Sequence, residues 1–261
     1  MMLSAIGDAL PVVKPAFAAM FARIEPAVKR PSPTAAGLRI LTILEQSQAP
    51  MSAGDSGYHR IRSDIIFGVL TPCGRLKLDS MKEDYGLSVS TLREILNRLA
   101  SEGFVVAEGQ RGFEVAPVSI QNLRELAQLR ILLEHHAMTE SFRAGDMEWE
   151  GRVVSAHHKL AATERLILAE GDDPELRKRY DSEFHQALIS NCGSRELMQT
   201  HAIVFDKYFR YALVYRGSAT VEQHRALLEC ALERNAEKAR QILIDHIEGC
   251  VAHALSIGAL T

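Results

Sequence analysis

Residues 86–115 read GLSVSTLREILNRLASEGFVVAEGQRGFEV, and no other stretch restricts the fold of this chain so tightly. Leu92, Ile95, Leu96 and Leu99 recur at i, i+3, i+4, i+7, which puts one apolar stripe along a short helix. Ser88 or Ser90 caps its start, because a short hydroxyl side chain accepts a hydrogen bond from an orphan backbone N–H; Gly103 closes it. Ser90, Glu94 and Asn97 lie on the opposite face, with Thr91, Arg93 and Arg98 on the flanks. Phe104 to Ala107, a turn from Glu108 to Gly112, and Phe113 to Val115 then alternate as a β-hairpin does. Upstream, Tyr58, Ile61, Ile65 and Val69 form the stripe of a first helix ended by Thr71-Pro72-Cys73-Gly74. A second short helix over 78–85 turns Leu78, Met81 and Tyr85 inward, and Gly86 makes the next turn. Three helices and a hairpin in this order predict a winged helix-turn-helix over 53–117, with one helix shaped for the major groove and a wing beside it.

Charge neither excludes nor supports a nucleic-acid partner. The whole chain of 261 residues carries a formal net charge of −3, and residues 51–117 hold eight Lys/Arg against nine Asp/Glu. DNA affinity comes largely from phosphate neutralisation, but the placement of cations matters more than their total. Arg60, Arg62, Lys82, Arg93, Arg98 and Arg111 fall where helix ends, the groove helix and the wing would meet a backbone. A winged helix that binds another protein is the alternative.

The remaining sequence divides in two. Residues 1–52 hold six of the nine prolines and break their apolar stretches, apart from one helical pattern at 35–47. They are expected to be a mobile extension, without the basic and apolar regions of a secretory signal. No apolar run approaches the ~18 residues of a membrane span. Cys73, Cys192, Cys230 and Cys250 are scattered with no CxxC pair, which favours a reducing cytoplasm and thiols used as small core residues.

After Pro117 come helical patterns over 119–143, 146–170, 173–191, 194–215, 220–233 and 235–257, with no strand-like stretch. Breaks fall at Gly145, at Gly171 to Pro174, at Asn191 to Gly193 and at Arg216-Gly217. Six helices joined by short connections predict an antiparallel bundle of six to seven helices over 118–261, so the chain as a whole is mainly α. Within it, Asp181 and His185 share one helix face at i, i+4, while His224 and His246 stand on later helices. Carboxylate and neutral imidazole ligate zinc and its first-row neighbours. Such a pair also arises by chance among ten histidines, which leaves open histidines that are only satisfied or exposed. The adjacent pairs His135/His136 and His157/His158 can each turn only one member inward. Trp149 suits packing near a helix start.

Two stretches resemble a known family. IRSDIIFGVLTPCGRLKL, YGLSVSTLREILNRLASEGFV and GQRGFEV are similar, in order and spacing, to the DNA-binding domain of GntR bacterial transcription regulators. The resemblance implies that Arg93 meets bases or phosphates, that Ser88, Ser90 and Thr91 hold the helix start, and that Gly112 lets the wing approach the minor groove. Val89 and Asp79 stand where members carry arginines, so the operator sequence does not transfer. Residues 119–250 resemble the FCD ligand-binding domain of the FadR-like subgroup, through D..FH at Asp181 to His185 and the 22-residue interval from His224 to His246. That subgroup's four metal ligands fall on Asp181, His185, His224 and His246. Its pocket arginine falls on Arg130, in an R..LE context with Glu134.

The expectation is therefore a cytoplasmic, homodimeric, ligand-responsive transcription regulator on an inverted-repeat operator, with the choice between repressor and activator left open. Arg60, Lys82, Ser88, Ser90, Thr91, Arg93, Arg111 and Gly112 are its DNA-binding candidates. One zinc, nickel or manganese ion is expected on the four ligands. Its effector is expected to be a small carboxylic acid gripped by Arg130, because a hard oxygen fills an open metal position and a guanidinium grips a carboxylate bidentately. Glu134 would otherwise give Arg130 a surface salt bridge, and Arg210 either lines the pocket or sits at the surface. A metal-dependent helical hydrolase is the rival of another class, but no HExxH is present.

Overall fold

The computed structural model describes residues 51–256 except 110–111, 172 and 213–217. The pattern at 35–47, the first fifty residues of the extension, Arg111 and the break at Arg216-Gly217 lie outside the described residues. Those residues hold nine helices and three short strands. They fall into two compact units, one of 51–61 with 71–120 and the other of 121–256 with 62–70.

The first unit is built as its apolar spacing requires. Helix α1 (Ala53–Ile66), whose residues from Arg62 on belong to the second unit, starts where Ser52 Oγ accepts from Asp55 N at 3.1 Å, and it buries Tyr58, Ile61 and Ile65. It stops short of Val69, which lies beyond the last turn and is exposed, so the expected stripe is one residue too long. Strand β1 (Arg75–Leu76) leads into α2 (Leu78–Tyr85), where Met81 alone is buried; Leu78 and Tyr85 are half-buried instead of fully inward. Gly86 ends α2 at φ 67, a left-handed conformation that a side chain disfavours. In α3 (Val89–Ser101), Ser88 Oγ accepts from Thr91 N at 3.1 Å, so the cap is Ser88 and not Ser90. Leu92, Ile95, Leu96 and Leu99 are all buried.

The hairpin follows as β2 (Val105–Ala107) and β3 (Phe113–Val115), antiparallel with Val105 opposite Val115 and Ala107 opposite Phe113. Strand β1 adds to the outer edge of β3, in the order β1-β3-β2, a pairing the two-residue strand is too short to announce in sequence. Glu108 N donates to Gly112 O at 2.9 Å and closes the wing.

The second unit is a helical bundle. Its helices are α4 (Ile120–Ala144), α5 (Met147–Glu170), α6 (Pro174–Ile189), α7 (Arg195–Ala212), α8 (Ser218–Leu232) and α9 (Ala236–Ser256). Asp146 and Asp173 cap α5 and α6 by accepting from Trp149 N and Leu176 N, and Pro174 occupies the first turn where no N–H is needed. Helix α5 packs along α6 and α8, α8 along α9, and α7 along α6 and α9. Phe184, Phe205, Tyr208, Trp149 and Met138 fill the middle, and the Trp149 indole donates to Ala187 O at 3.0 Å. His135 and His157 are half-buried while their neighbours His136 and His158 are exposed. Only Cys230 and Cys250 are core thiols; Cys73 is exposed and Cys192 intermediate, against the expectation for all four. No described helix is long and apolar enough to cross a membrane.

Candidate functional site

Ligand-type side chains from α6, α8 and α9 converge in the bundle interior. One atom each from Asp181, His185, His224 and His246 lies within 4.8 Å of the others, with the three imidazoles buried and Asp181 partly so. One turn of α6 separates Asp181 from His185, and the two project together because i and i+4 share a face. Phe184 and Phe205 wall the group, with ring centroids 5.9 and 5.6 Å from that of His185.

Each imidazole is held by its outer nitrogen. His185 Nδ1 donates to Glu134 Oε2 at 2.7 Å, His224 Nδ1 to Glu164 Oε1 at 2.8 Å, and His246 Nδ1 to Gln223 Oε1 at 3.2 Å. The partner atoms are acceptors, so each Nδ1 carries a proton; the neutral His185 and His246 rings then have Nε2 free of a proton, and His224 Nε2 becomes a ligand once it gives up its own. His185 Nε2, His224 Nε2 and Asp181 Oδ1 are buried with no polar partner outside this group: His224 Nε2 and Asp181 Oδ1 pair with each other at 3.2 Å, and His185 Nε2 lies 3.6 Å from the same oxygen. Buried polar atoms are rarely left so. Lone pairs aimed at one point, behind imidazoles oriented by carboxylate or amide acceptors, are the arrangement a divalent metal requires. The residues fit the ion.

Electrostatics agree with that fit. Burial lowers the pKa of His185, and burial together with the neighbouring imidazoles holds His246 well below its ordinary value, so both stay neutral and ready to ligate. Burial opposes charge on His224 as well, but hydrogen bonds with Asp181 and Glu164 override it and raise its pKa to about 9. Asp181 runs against its own burial for the matching reason, held far below the usual carboxylate range by His224 and His185. A metal ion entering this group therefore competes with one proton, the one His224 holds.

Arg130 is 2% exposed, and its Nε donates to Glu134 Oε1 at 2.5 Å. The expected alternative of a surface salt bridge has the right partner and the wrong place, since the pair is interior. Its guanidinium carbon lies 4.4 Å from the Phe205 ring centroid, and Nη2 is buried without a partner. Burial pushes against the charge on Glu134, but Arg130, His185 and His201 hold its carboxyl well below the ordinary range. Glu134 thus joins the arginine to a ligand imidazole, and His201 Nε2 donates to it at 2.9 Å. Arg210 is buried, which removes the surface reading. The sequence reading missed Glu134 as an orienting group, together with Glu164, Gln223 and His201. Its one available signal was Gln223 beside His224.

In the first unit, Arg60, Lys82, Ser88, Ser90 and Arg93 are exposed, and Thr91 and Gly112 are intermediate. Ser88 Oγ lies 2.8 Å from Ser90 Oγ and 2.9 Å from Thr91 Oγ1, a hydroxyl cluster at the start of α3. The Arg60 guanidinium sits over the Tyr85 ring at 4.7 Å. Gly112 has φ 98. Two cations of the expected set are engaged within the protein: Arg98 stacks 3.7 Å over Tyr58, and Arg62, in the second unit, is half-buried and ion-paired with Asp206.

Comparison with known proteins gives consistent matches. Residues 55–115 match the family "Bacterial regulatory proteins, gntR family", and residues 125–249 match the FCD domain. The chain is 35% identical over 214 residues to the HTH-type transcriptional regulator BphR of Paraburkholderia xenovorans LB400, covering 79% of this chain and 86% of that one. It is 30% identical over 200 residues to the HTH-type transcriptional repressor GlaR of Escherichia coli K12, covering 73% and 90%. Among solved structures, E. coli McbR/YncC aligns with TM-score 0.66 at 20% identity, over 79% of this chain and 99% of that chain. A GntR regulator from Rhodococcus sp. RHA1 aligns with TM-score 0.63 at 22% identity, over 79% and 99%.

Proposed function

The chain belongs to the GntR family of DNA-binding transcription regulators and carries an FCD domain, and from that footing we propose that a small carboxylic acid, bound at a divalent metal in the helical unit, modulates its grip on operator DNA. Asp181, His185, His224 and His246 hold the ion. The observation that carries this reading is a trio of buried atoms, His185 Nε2, His224 Nε2 and Asp181 Oδ1, whose only polar neighbours are one another, in a group whose imidazoles are each oriented from behind. Zinc, nickel and manganese all accept such a set. Bound there, the ion supplies a Lewis-acidic seat for a carboxylate oxygen.

Arg130 is the anion grip, through its unpartnered Nη2, and Arg210 is a second guanidinium of the same site. A ligand of equal affinity for two arrangements shifts neither, so the acid must prefer one arrangement of a homodimer. Two-fold symmetry gives two groove helices on an inverted repeat. Arg60, Lys82, Arg93, Arg111 and the hydroxyls of Ser88, Ser90 and Thr91 meet that DNA, with Gly112 in the wing. The division into 53–117 and 118–261 follows the two roles, and the cytoplasm is where such a regulator meets its operator.

Elemental analysis of protein purified without chelators should find about one divalent ion per chain. Calorimetry against a panel of mono- and dicarboxylates, with and without that ion, should find an acid whose binding needs both the metal and Arg130. Unchanged metal content in the double variant His224→Ala, His246→Ala, or acid binding indifferent to metal and to Arg130→Ala, overturns the reading. Turnover of the acid would instead favour a hydrolase. Against that, Glu134 has both oxygens engaged by Arg130, His185 and His201, and Glu164 holds the His224 imidazole through Oε1.

A further inference from the structure

The groove helix α3 carries an acidic side chain where a polyanion must approach. With about 100° between successive residues, Ser90, Glu94 and Asn97 occupy the middle of its exposed face, opposite buried Leu92, Ile95, Leu96 and Leu99. Arg93 and Arg98 stand on the two flanks, where the walls of a groove place their phosphates. Arg98 is turned back onto Tyr58 at 3.7 Å, with Nε 3.5 Å from Glu102, so it is engaged away from Glu94. Among the described residues, no hydrogen bond or ion pair joins Glu94 to a neighbour.

A bare carboxylate in that row repels phosphate, and the protein's charge there is already poor for DNA. The major groove offers one compensation: amino donors on base edges, of which the cytosine N4 amino group is the usual partner of a glutamate. We propose that Glu94 is a specificity-determining residue of α3, accepting a hydrogen bond from a cytosine N4 amino group in each operator half-site. Asn97, one turn further along the same row, has the amide that pairs bidentately with adenine N6 and N7. Three residues of helix rise about 4.5 Å against base pairs about 3.4 Å apart, so Asn97 reads the pair next to the one Glu94 reads. Arg93 on the flank then serves the backbone or an outlying guanine. This assignment is independent of the metal and the acid.

The test uses the full chain. Selection from a random duplex pool gives the preferred half-site of wild type, and anisotropy then measures duplexes with each position exchanged. Wild type should prefer cytosine at one position by roughly tenfold or more. Glu94→Ala should flatten that preference while binding non-specific duplex more tightly, because a repulsive charge is gone. Glu94→Gln, with an amide in place of the carboxylate, should move the preference toward adenine at the same position. Asn97→Ala should relax the adjoining adenine only. Glu94 is exposed, and unchanged melting of each variant verifies the fold. A wild-type half-site with no preferred cytosine overturns the proposal. So does full retention of base preference in both Glu94 variants, whatever happens to non-specific affinity, since Glu94 would then act only as a repulsive charge.

Discussion

Replacing Glu134 by Gln probes the helical unit at its most heavily shared atom pair. The carboxylate is 1% exposed and accepts from Arg130 Nε at 2.5 Å, His201 Nε2 at 2.9 Å and His185 Nδ1 at 2.7 Å. Gln keeps the volume and one acceptor, but its NH2 must face a donor in either orientation. If the amide oxygen keeps His185, the NH2 meets Arg130 and His201. In the opposite orientation, the NH2 meets His185 Nδ1–H. Either way the Arg130 charge is left buried without its counter-ion, and breaking one side of such a pair costs about 3–5 kcal/mol. Loss of an orienting partner separately costs about 10- to 100-fold in metal affinity. Trp149 is the chain's one tryptophan and is fully buried in α5, so its fluorescence follows unfolding of this unit alone. Urea titration of metal-free Glu134→Gln, read at Trp149, should show the stability loss; competition with a chelator should show the affinity loss. A stability change under about 1 kcal/mol, the size of a surface pair, together with unchanged metal affinity, refutes the claim that Glu134 is an ionised, shared anchor.

Metal binding should be pH-dependent with a definite sign. The pKa of His224 is raised to about 9, so below that pH the metal-free imidazole is protonated and must release its proton to ligate. Apparent affinity should rise about tenfold per pH unit from neutrality and level off above about 9, with one proton released in calorimetry; a flat profile between pH 7 and 9 refutes it. Gly86→Ala should destabilise the first unit by about 1–2 kcal/mol, the strain of an L residue at φ 67. The added Cβ meets nothing within 4 Å, so the cost is conformational only, and a calorimetric transition should fall while the Trp149 signal stays. Arg93→Ala should weaken operator binding by about 1–3 kcal/mol, with a shallower salt slope if its partner is phosphate. Equal affinity of variant and wild type in gel shifts removes Arg93 from the interface.

The bundle's helices were legible because periodicity and stop signals agreed. Asp146, and Asp173 ahead of Pro174, mark starts that chemistry fixes locally, and the helices begin at Met147 and Pro174 as those caps require. The groove helix was legible for the same reason, down to a serine cap, although two serines competed and backbone geometry chose Ser88. Val69 misled because it continues a 3.6-residue period past the point where the backbone leaves the helix at Phe67. Strand β1 escaped because two residues carry no period at all; its hydrogen bonds to β3 make it a strand.

The candidate site shows where periodicity stops being informative. On α4, Leu132 is 65% exposed while Arg130 and Glu134, two residues to either side, are buried. Leu123, Leu126, Ala127, Ala137, Met138 and Phe142 mark the buried face, but at 130 and 134 that same face carries a paired Arg and Glu, which hydropathy alone would place outside, and nothing local in LRILLEHH announces the further partner. That partner is His185, 51 positions further along the chain. Ligands can be found by motif because i, i+4 is a local relation. The groups that orient them act across 60 residues between Glu164 and His224 and across 23 between Gln223 and His246, relations that only packing creates. The charged pair on the buried face of α4 is itself an argument for function: stability alone would be served by leucines at 130 and 134. A buried cation with one donor left free beside three oriented imidazoles is the feature from which the proposal that an anion and a metal share that space is drawn.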